Sequence, residues 1–445
     1  MRFRPATLLA SLLFAAAAAP TLAQTSVPSA SSATSTPLDP AVRAAIAAQL
    51  ATELRSRYIY PDAAERGAAA IIAAAASGAY DRITDLPSFA RRLTDDLRSV
   101  LHDKHLAVFA ESGRPALSVA SIPGGEAGII RAGRLAGGIA YLEIAGFSNP
   151  WSFKPALDRA MAGLKGSRAF ILEMRGNHGG DPASVSYLVS HFVPAGKRIE
   201  INRIVWRKAG TTELTRKPFF SEPTPVSFAG RPVYVLIGGH TFSGGEELAY
   251  DIHTLKLGTL VGETTGGGAN PGQSVPIGQG VMAFIPTGRA ESPVTGSNWE
   301  GRGVRPDLEV PDADALAAAL RRLGRSPAAA TIEAASPVPL FTPRTVPFRG
   351  SEAMLRRILA GRAAPEPDYT LMRADAEEPG RAAFAATQRR LQPLGDPQAI
   401  HFRRPDGWGF DEFTLVYPDQ TLVVAIGLDP AGKFMGLIGP DKVSP

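Results

Sequence analysis

Two short segments of this sequence place reactive residue types where a strand turns into a helix. His240-Thr241-Phe242-Ser243-Gly244-Gly245-Glu246-Glu247 follows an apolar run and opens a helical one. A small hydroxyl residue at such a turn presents its Oγ as a nucleophile and leaves the next N–H free to meet an oxyanion. Ser243 and Glu246 also have the Ser-X-X-Glu spacing of a capping box, so a plain helix start fits equally. Thr241 stands where the Gly-X-Ser-X-Gly elbow has its first glycine, which argues against a simple esterase. The second segment is Arg175-Gly176-Asn177-His178-Gly179-Gly180-Asp181-Pro182. Its glycines permit positive φ and close backbone approach, and free N–H groups at a helix start can hold a developing negative charge. It also reads as an ordinary tight turn. No Gly-Lys-Ser/Thr follows, and the glycine spacing is not that of a dinucleotide loop.

A serine nucleophile needs a base, and seven histidines are available: His102, His105, His178, His191, His240, His253 and His401. Local physics does not choose among them. No His-X-X-X-His or His-Glu-X-X-His pair occurs, so neither a metal site nor a cofactor is expected. A third loop, Asn298-Trp299-Glu300-Gly301-Arg302-Gly303-Val304-Arg305-Pro306-Asp307, is rich in turn residues. On its own terms Glu300 there is a solvated carboxylate.

The elements that must position these loops follow from periodicity. From Leu38 to about Ala110 the apolar spacing is three and four, as in a small helical bundle, with a break at Tyr58-Ile59-Tyr60 before Pro61-Asp62 restarts a helix. From Gly128 the period changes. Runs at 138–144, 169–174, 232–237 and 258–262 read as strands, with helices at 153–164, 182–192 and 246–255 between them. Such alternation predicts an α/β core with a largely parallel sheet. Helices at 353–360 and 381–394, then strands at 399–403, 412–418, 420–428 and 433–438, predict a separate α+β module.

Residues 1–23 read as a signal peptide: Arg2 and Arg4, an apolar run from Leu8 to Ala19, then small Ala23 before Gln24. A Ser/Thr/Pro linker (24–37) follows. The remaining expected divisions are a helical subdomain (38–110), a catalytic α/β domain (111–325), a linker (326–348) and the α+β module (349–445). The chain has 445 residues, of which 44% are hydrophobic and 20% charged, a globular balance that excludes disorder over most of its length. Its net charge of +5 is not clustered, so nucleic acid is not an expected partner. It has no cysteine, which removes disulfides, thiolate nucleophiles and Cys-based zinc sites. Periplasmic or secreted location is expected, without stable membrane insertion once the signal is cleaved. Nothing in the sequence sets the oligomeric state.

Six segments in order resemble the C-terminal-processing peptidase family of serine peptidases, in the branch of the tricorn core and the interphotoreceptor retinoid-binding protein. They are Leu101-His102-Asp103-Lys104-His105-Leu106, Gly138-Ile139-Ala140-Tyr141-Leu142, Glu173 to Gly180, Thr241 to Glu247, Gly262-Glu263-Thr264-Thr265-Gly266-Gly267-Gly268 and Glu300 to Asp307. The resemblance covers about Leu38 to Leu323. It implies a ClpP/crotonase-like β-β-α spiral core with an N-terminal helical subdomain, and hydrolysis of peptide or unfolded-protein substrates. It further implies Ser243 as nucleophile, His105 as base, Glu300 in support, and the N–H groups of Gly244 and Gly180 as oxyanion hole. The lysine used by one catalytic design of the family is absent, Gly268 taking its place, and Lys104 stands where the tricorn pattern has a serine. Too few residues separate His105 from Gly138 for a PDZ domain. The last module resembles small cystatin-like or nuclear-transport-factor-like domains. The retinoid-binding branch implies the alternative: a non-catalytic exported protein that binds an apolar ligand or peptide on the same scaffold.

Overall fold

The computed structural model describes residues 38–110, 125–325, 341–374, 378–407 and 409–442. The expected signal peptide, the first linker and residues 326–340 of the second lie outside the described residues. Three helices lead: α1 (Pro40–Arg57), α2 (Pro61–Ala76) and α3 (Leu86–Leu101). Proline at the first or second position and an acidic N-cap start two of them. Asp39 accepts from Ala41 N at 2.8 Å and Asp85 from Ser88 N at 2.7 Å. Each cap satisfies a donor that the helix start leaves without an internal partner.

The helices do not form a bundle closed on itself. After α3 the chain enters a strand, β1 (Ala107–Ala110), within the stretch expected to be helical. Four residues are too few for periodicity to separate the two states. β1 lies antiparallel to a strand from far along the chain, β10 (Val281–Pro286), which pairs in turn with β9 (Gly272–Gly278). Ile46, Leu50, Leu54, Phe89, Leu93 and Leu97 of the helices share one apolar core with Val275, Ile277, Ala283 and Ile285 of those strands.

The central sheet has six strands. In chain order they are β2 (Ile129–Leu135), β3 (Ile139–Ile144), β4 (Ala169–Glu173), β7 (Val233–Ile237), β8 (Thr259–Gly262) and β12 (Leu308–Glu309). Their spatial order is β12-β8-β7-β4-β3-β2. All neighbouring pairs are parallel except β2 with β3. The expected parallel α/β core is therefore present. Helices α4 (Pro150–Leu164), α5 (Pro182–Ser190) and α6 (Gly244–Thr254) contribute Phe153, Leu188 and Leu248 to its main apolar core. α7 (Ala315–Arg322) helps to form a second apolar cluster, with Ala319 and Leu320 against Ile171 and Val261. A further antiparallel sheet joins β5 (Glu200–Arg207) to β6 (Leu214–Phe220) and β11 (Gly288–Glu291).

The C-terminal part holds α8 (Ser351–Ala360), α9 (Glu378–Leu391) and a four-stranded antiparallel meander: β13 (Ala399–Pro405), β14 (Asp411–Val416), β15 (Thr421–Leu428) and β16 (Phe434–Lys442). Leu355, Leu391, Phe413 and Val424 are in its own apolar core. It is tied to the central part by ions. Arg344 lies 3.2 Å from Glu126 Oε1 and 2.5 Å from Asp411 Oδ1, and Glu126 also meets Arg159 at 2.7 Å. Glu126 and Asp411 are buried, so the arginine between them offsets charge that would otherwise lack a partner. Among the described residues no helix is long and apolar enough to cross a membrane.

Candidate active site

Three crossing points, two at the ends of parallel strands and a third between α3 and β1, bring the sequence-predicted residues together. The first is the turn from β7 into α6. Ser243 precedes α6 with φ 54° and ψ −120°, a conformation that L residues rarely adopt. Such an outlier persists only where the surroundings over-determine it. Thr241, buried, helps to supply that constraint. Its hydroxyl donates to Met174 O at 2.9 Å and accepts from Gly238 N at 3.1 Å. A threonine can thus stand where the esterase elbow has glycine, because its side chain ties the turn to the strand beneath. The capping arrangement is present too, with Glu246 accepting from Ser243 N at 3.0 Å. The cap and the reactive position coexist.

The second crossing is the glycine turn after β4. Asn177 is buried and organises it. Its Nδ2 donates to Ile144 O at 3.0 Å, its Oδ1 accepts from Gly179 N at 2.8 Å, and its carbonyl accepts from Phe242 N at 2.9 Å. Gly179 and Gly180 have φ of 97° and 137°. A Cβ on Gly179 would lie 2.7 Å from that of Ser243, and one on Gly180 would lie 1.9 Å from Phe147 O. Only glycine lets the two turns approach so closely. The Gly180 nitrogen is 3.0 Å from where a Cβ on Gly244 would stand. Among the described residues neither the Gly180 nor the Gly244 N–H donates to a protein group. Both remain available beside Ser243.

The third crossing delivers the imidazole. α3 ends in left-handed His102 (φ 53°), and Arg98 clamps the turn by donating to Leu106 O at 2.7 Å and Lys104 O at 2.8 Å. Buried Asp103 accepts from His105 N, Tyr58 OH and Asn270 Nδ2, each at 3.0 Å. The pairing of β1 with β10 then fixes the strand that follows. His105 Nε2 comes to 3.0 Å from Ser243 Oγ, across 138 residues of sequence. The ring packs on Phe242, with centroids 4.7 Å apart, and on Phe284 at 6.4 Å. Burial pushes its pKa below the ordinary imidazole range, against the upward pull of Asp103. At neutral pH such a ring is an unprotonated base.

Glu300 is not the solvated carboxylate that its loop suggested. The loops 266–270 and 298–303 clasp one another: Trp299 Nε1 donates to Gly268 O at 2.7 Å, and Glu300 Oε2 accepts from Ala269 N at 2.5 Å. Burial first, then the neighbouring Asp103 carboxylate, raises the Glu300 pKa to about 8. It therefore carries its proton at neutral pH. One carboxylate oxygen of Asp103, one of Glu300 and one ring nitrogen of His105 lie within 4.8 Å of each other. Glu300 is thus beside the imidazole without a hydrogen bond to it, and both His105 Nδ1 and Glu300 Oε1 are buried without a partner.

Gly268 explains the missing lysine. A Cβ there would lie 2.3 Å from Phe242 Cζ and 2.8 Å from His105 Cε1. The space a side chain would need is filled by the histidine and the ring it packs on. Lys104 points elsewhere and donates to Gly266 O at 2.5 Å.

The histidines other than His105 divide plainly. His191 is buried with its pKa lowered to about 4 by burial, and meets Val226 O at 2.7 Å, a structural role. His178 and His240 border a separate cavity of about 620 Å³ beside Glu173 and Arg175. Sequence reasoning missed the roles of Asp103, Asn177 and Glu246. The Glu246 carboxylate also accepts from Thr265 Oγ1, Gly267 N and Gly268 N, at 2.5, 2.6 and 2.8 Å, joining two of the loops. The one available signal for it was the capping-box spacing.

A hydroxyl, an imidazole and two free N–H groups at one strand end are the parts of an acyl-transfer centre. The comparisons agree on the class. The family description Peptidase family S41 matches residues 138–310, and the N-terminal domain of Peptidase S41 in eukaryotic IRBP matches residues 38–127. Together they span more than half of the sequence. The chain belongs to peptidase family S41, a family of serine peptidase hydrolases. Similar solved structures include a candidate peptidase from Parabacteroides merdae ATCC 43184. It is 21% identical, with 67% of this chain and 95% of that chain covered and a TM-score of 0.45. A lipoprotein from Streptococcus agalactiae is 14% identical over 64% and 98%, TM-score 0.45. The photosystem II D1 C-terminal processing protease is 14% identical over 61% and 93%, TM-score 0.39.

Proposed function

We propose that this protein is an exported serine peptidase that cleaves peptide bonds with Ser243 as nucleophile and His105 as general base. Ser243 Oγ attacks the substrate carbonyl while its proton passes to His105 Nε2. The oxyanion meets the N–H groups of Gly244 and Gly180, each such donor contributing about 3–4 kcal/mol of transition-state stabilisation. The imidazolium returns the proton to the leaving amine as the C–N bond breaks. Water then repeats the sequence on the acyl-enzyme. Asp103 stands beside the ring and favours its charged form, and Glu300, which carries its proton at neutral pH, adds to this once it ionises. Asp103 also fixes the backbone that carries the ring.

The observation that carries this function is the 3.0 Å contact between His105 Nε2 and Ser243 Oγ at a positive-φ turn. The packing at Gly268 supports the same reading, since the histidine and Phe242 occupy the space that the family's lysine would need. The test is turnover of peptide substrates together with fluorophosphonate labelling. Ser243→Ala should abolish both while the melting transition is retained. Undiminished cleavage by that variant would reject the assignment.

The finer organisation belongs to the same proposal. Residues 1–23 act as a signal peptide, so the mature chain starts at Gln24 and is periplasmic or secreted. The linkers are 24–37 and 326–348, the helical subdomain is 38–110, the catalytic domain, with a β-β-α spiral core, is 111–325, and the cystatin-like or nuclear-transport-factor-like module is 349–445. N-terminal sequencing of the protein recovered from outside the cytoplasm tests the first of these.

A further inference from the structure

We infer that Asp103, His105 and Glu300 form a site for one divalent cation of the zinc type, and that its occupation switches His105 into a form unable to act as base. Binding stands on the geometry alone. The inhibitory consequence rests on the proposed function.

Three observations converge. Each of the three residues offers a ligand atom within 4.8 Å of the other two. Next, three polar atoms here, His105 Nδ1, Glu300 Oε1 and Asn270 Oδ1, are buried without a partner. Asn270 is only 1% exposed, and its Nδ2 donates to Asp103 Oδ2. Buried polar atoms left unpaired are costly, and an unseen ion is one of the ordinary reasons they persist. Finally, there is a route. A cavity of about 350 Å³ has Asp103, Asn270 and Glu300 in its wall, and the exposed Asp62 and Arg66 in the wall as well. Ser243 does not line it, so an ion entering by this route approaches from the helical side.

The donor set selects the ion. One imidazole with two carboxylates suits zinc, whereas magnesium and calcium favour oxygen alone. Asp103 already accepts three hydrogen bonds, which leaves one of about four lone-pair sites. Ligands of a tetrahedral zinc ion stand about 3.4 Å apart at the usual bond lengths. Side-chain torsions of Glu300 can supply the closure, with water at the fourth corner. No local motif signals such a site, because its ligands come from one turn after α3 and one loop before β12.

The consequence follows from the two ring nitrogens. Nε2 faces Ser243 Oγ, so the metal takes Nδ1. A neutral imidazole metallated at Nδ1 carries its proton on Nε2. The nitrogen 3.0 Å from the serine then has no lone pair to receive the hydroxyl proton.

The test uses the full chain with Ser243→Ala and Zn²⁺ as the probe, titrated calorimetrically with Mg²⁺ and Ca²⁺ as parallel arms. One Zn²⁺ per chain is expected, with neither hard cation competing. Co²⁺ in its place should give the visible absorption of a low-coordinate ion. Glu300→Gln and His105→Gln, each added to Ser243→Ala, should weaken Zn²⁺ at least tenfold. Thermal melts identify a variant that fails to fold, and the other then decides. No saturable Zn²⁺ binding, or equal affinity in the folded variants, overturns the site. On the unsubstituted protein, Zn²⁺ should slow fluorophosphonate labelling at least tenfold as the site fills, and chelation should restore it. Unchanged labelling at a filled site overturns the inhibitory switch. If the protein takes no label even without Zn²⁺, the assignment of Ser243 has failed, and the binding arm alone decides the cation site.

Discussion

Gly268→Ala tests the His105–Ser243 arrangement at its tightest point. The new Cβ would lie 2.3 Å from Phe242 Cζ and 2.8 Å from His105 Cε1, where ordinary contact begins at 3.4 Å. The Phe242 ring must retreat by about 3.4 − 2.3 = 1.1 Å and the imidazole by about 3.4 − 2.8 = 0.6 Å. The two rings are in contact with one another, so both move. A shift of that size directed away from Ser243 would stretch the 3.0 Å contact to at most about 3.6 Å, beyond hydrogen-bond reach. Displacements of about 1 Å in a catalytic group cost on the order of 100-fold. The expected loss in kcat/KM is therefore about 10- to 100-fold, or about 1.4–2.7 kcal/mol of transition-state stabilisation. Overpacking should also lower stability by about 1–3 kcal/mol. The assay is the second-order rate of fluorophosphonate labelling, paired with a thermal melt. Phe242→Leu in the same chain removes the ring edge and should recover part of the rate, giving a coupling of about 1 kcal/mol or more. A Gly268→Ala protein that labels and melts like the parent would refute the steric account. Gly268→Lys should likewise fail to create a serine–lysine pair.

Three further outcomes are expected. In the parent protein kcat/KM should rise as pH passes through about 8, because ionised Glu300 favours the imidazolium. Glu300→Gln should keep activity near pH 7 and lose that rise, and a persisting rise would assign it to another group. Glu247 is buried in α6 and its pKa is raised from 4.5 to about 7, chiefly by burial, so the folded protein holds that proton more tightly than the unfolded chain. Its contribution is fully present below pH 4.5 and lost as pH rises through 7. Glu247→Gln should therefore flatten urea-measured stability between pH 5 and 8, and an unchanged slope would contradict the burial argument. Ser243→Gly should be more stable than Ser243→Ala by about 1 kcal/mol, since glycine accepts φ 54° without penalty. Equal melting of the two would mean that the turn stores no strain.

The four inner strands of the central sheet, β3, β4, β7 and β8, were legible in sequence because both of their faces are covered. Ala169 to Glu173 is buried at every position and reads as an unbroken apolar run. The two edge strands and the antiparallel strands of the two smaller sheets were not, although those of the C-terminal meander were. β6 is exposed at its first five positions and carries Thr215-Arg216-Lys217-Pro218, while β9 contains glycine and proline that read as loop. Ser243 stood out through its turn chemistry, and Gly180 through its glycine run. His105 did not, because what distinguishes it from the other histidines is the pairing of β1 with β10, a contact with no local trace. The Glu300 environment was equally hidden. Its loop is polar, and only the clasp with residues 266–270 takes it out of water.

The three crossings have one further consequence, for timing. The nucleophile, the ring and the carboxylate come from stretches that meet only when β10 has closed on β1 and the loop before β12 has locked onto its neighbour. A nascent chain cannot assemble this centre before residue 300 has been added. On the proposed function, a chain still being made has no assembled base and nucleophile with which to cut.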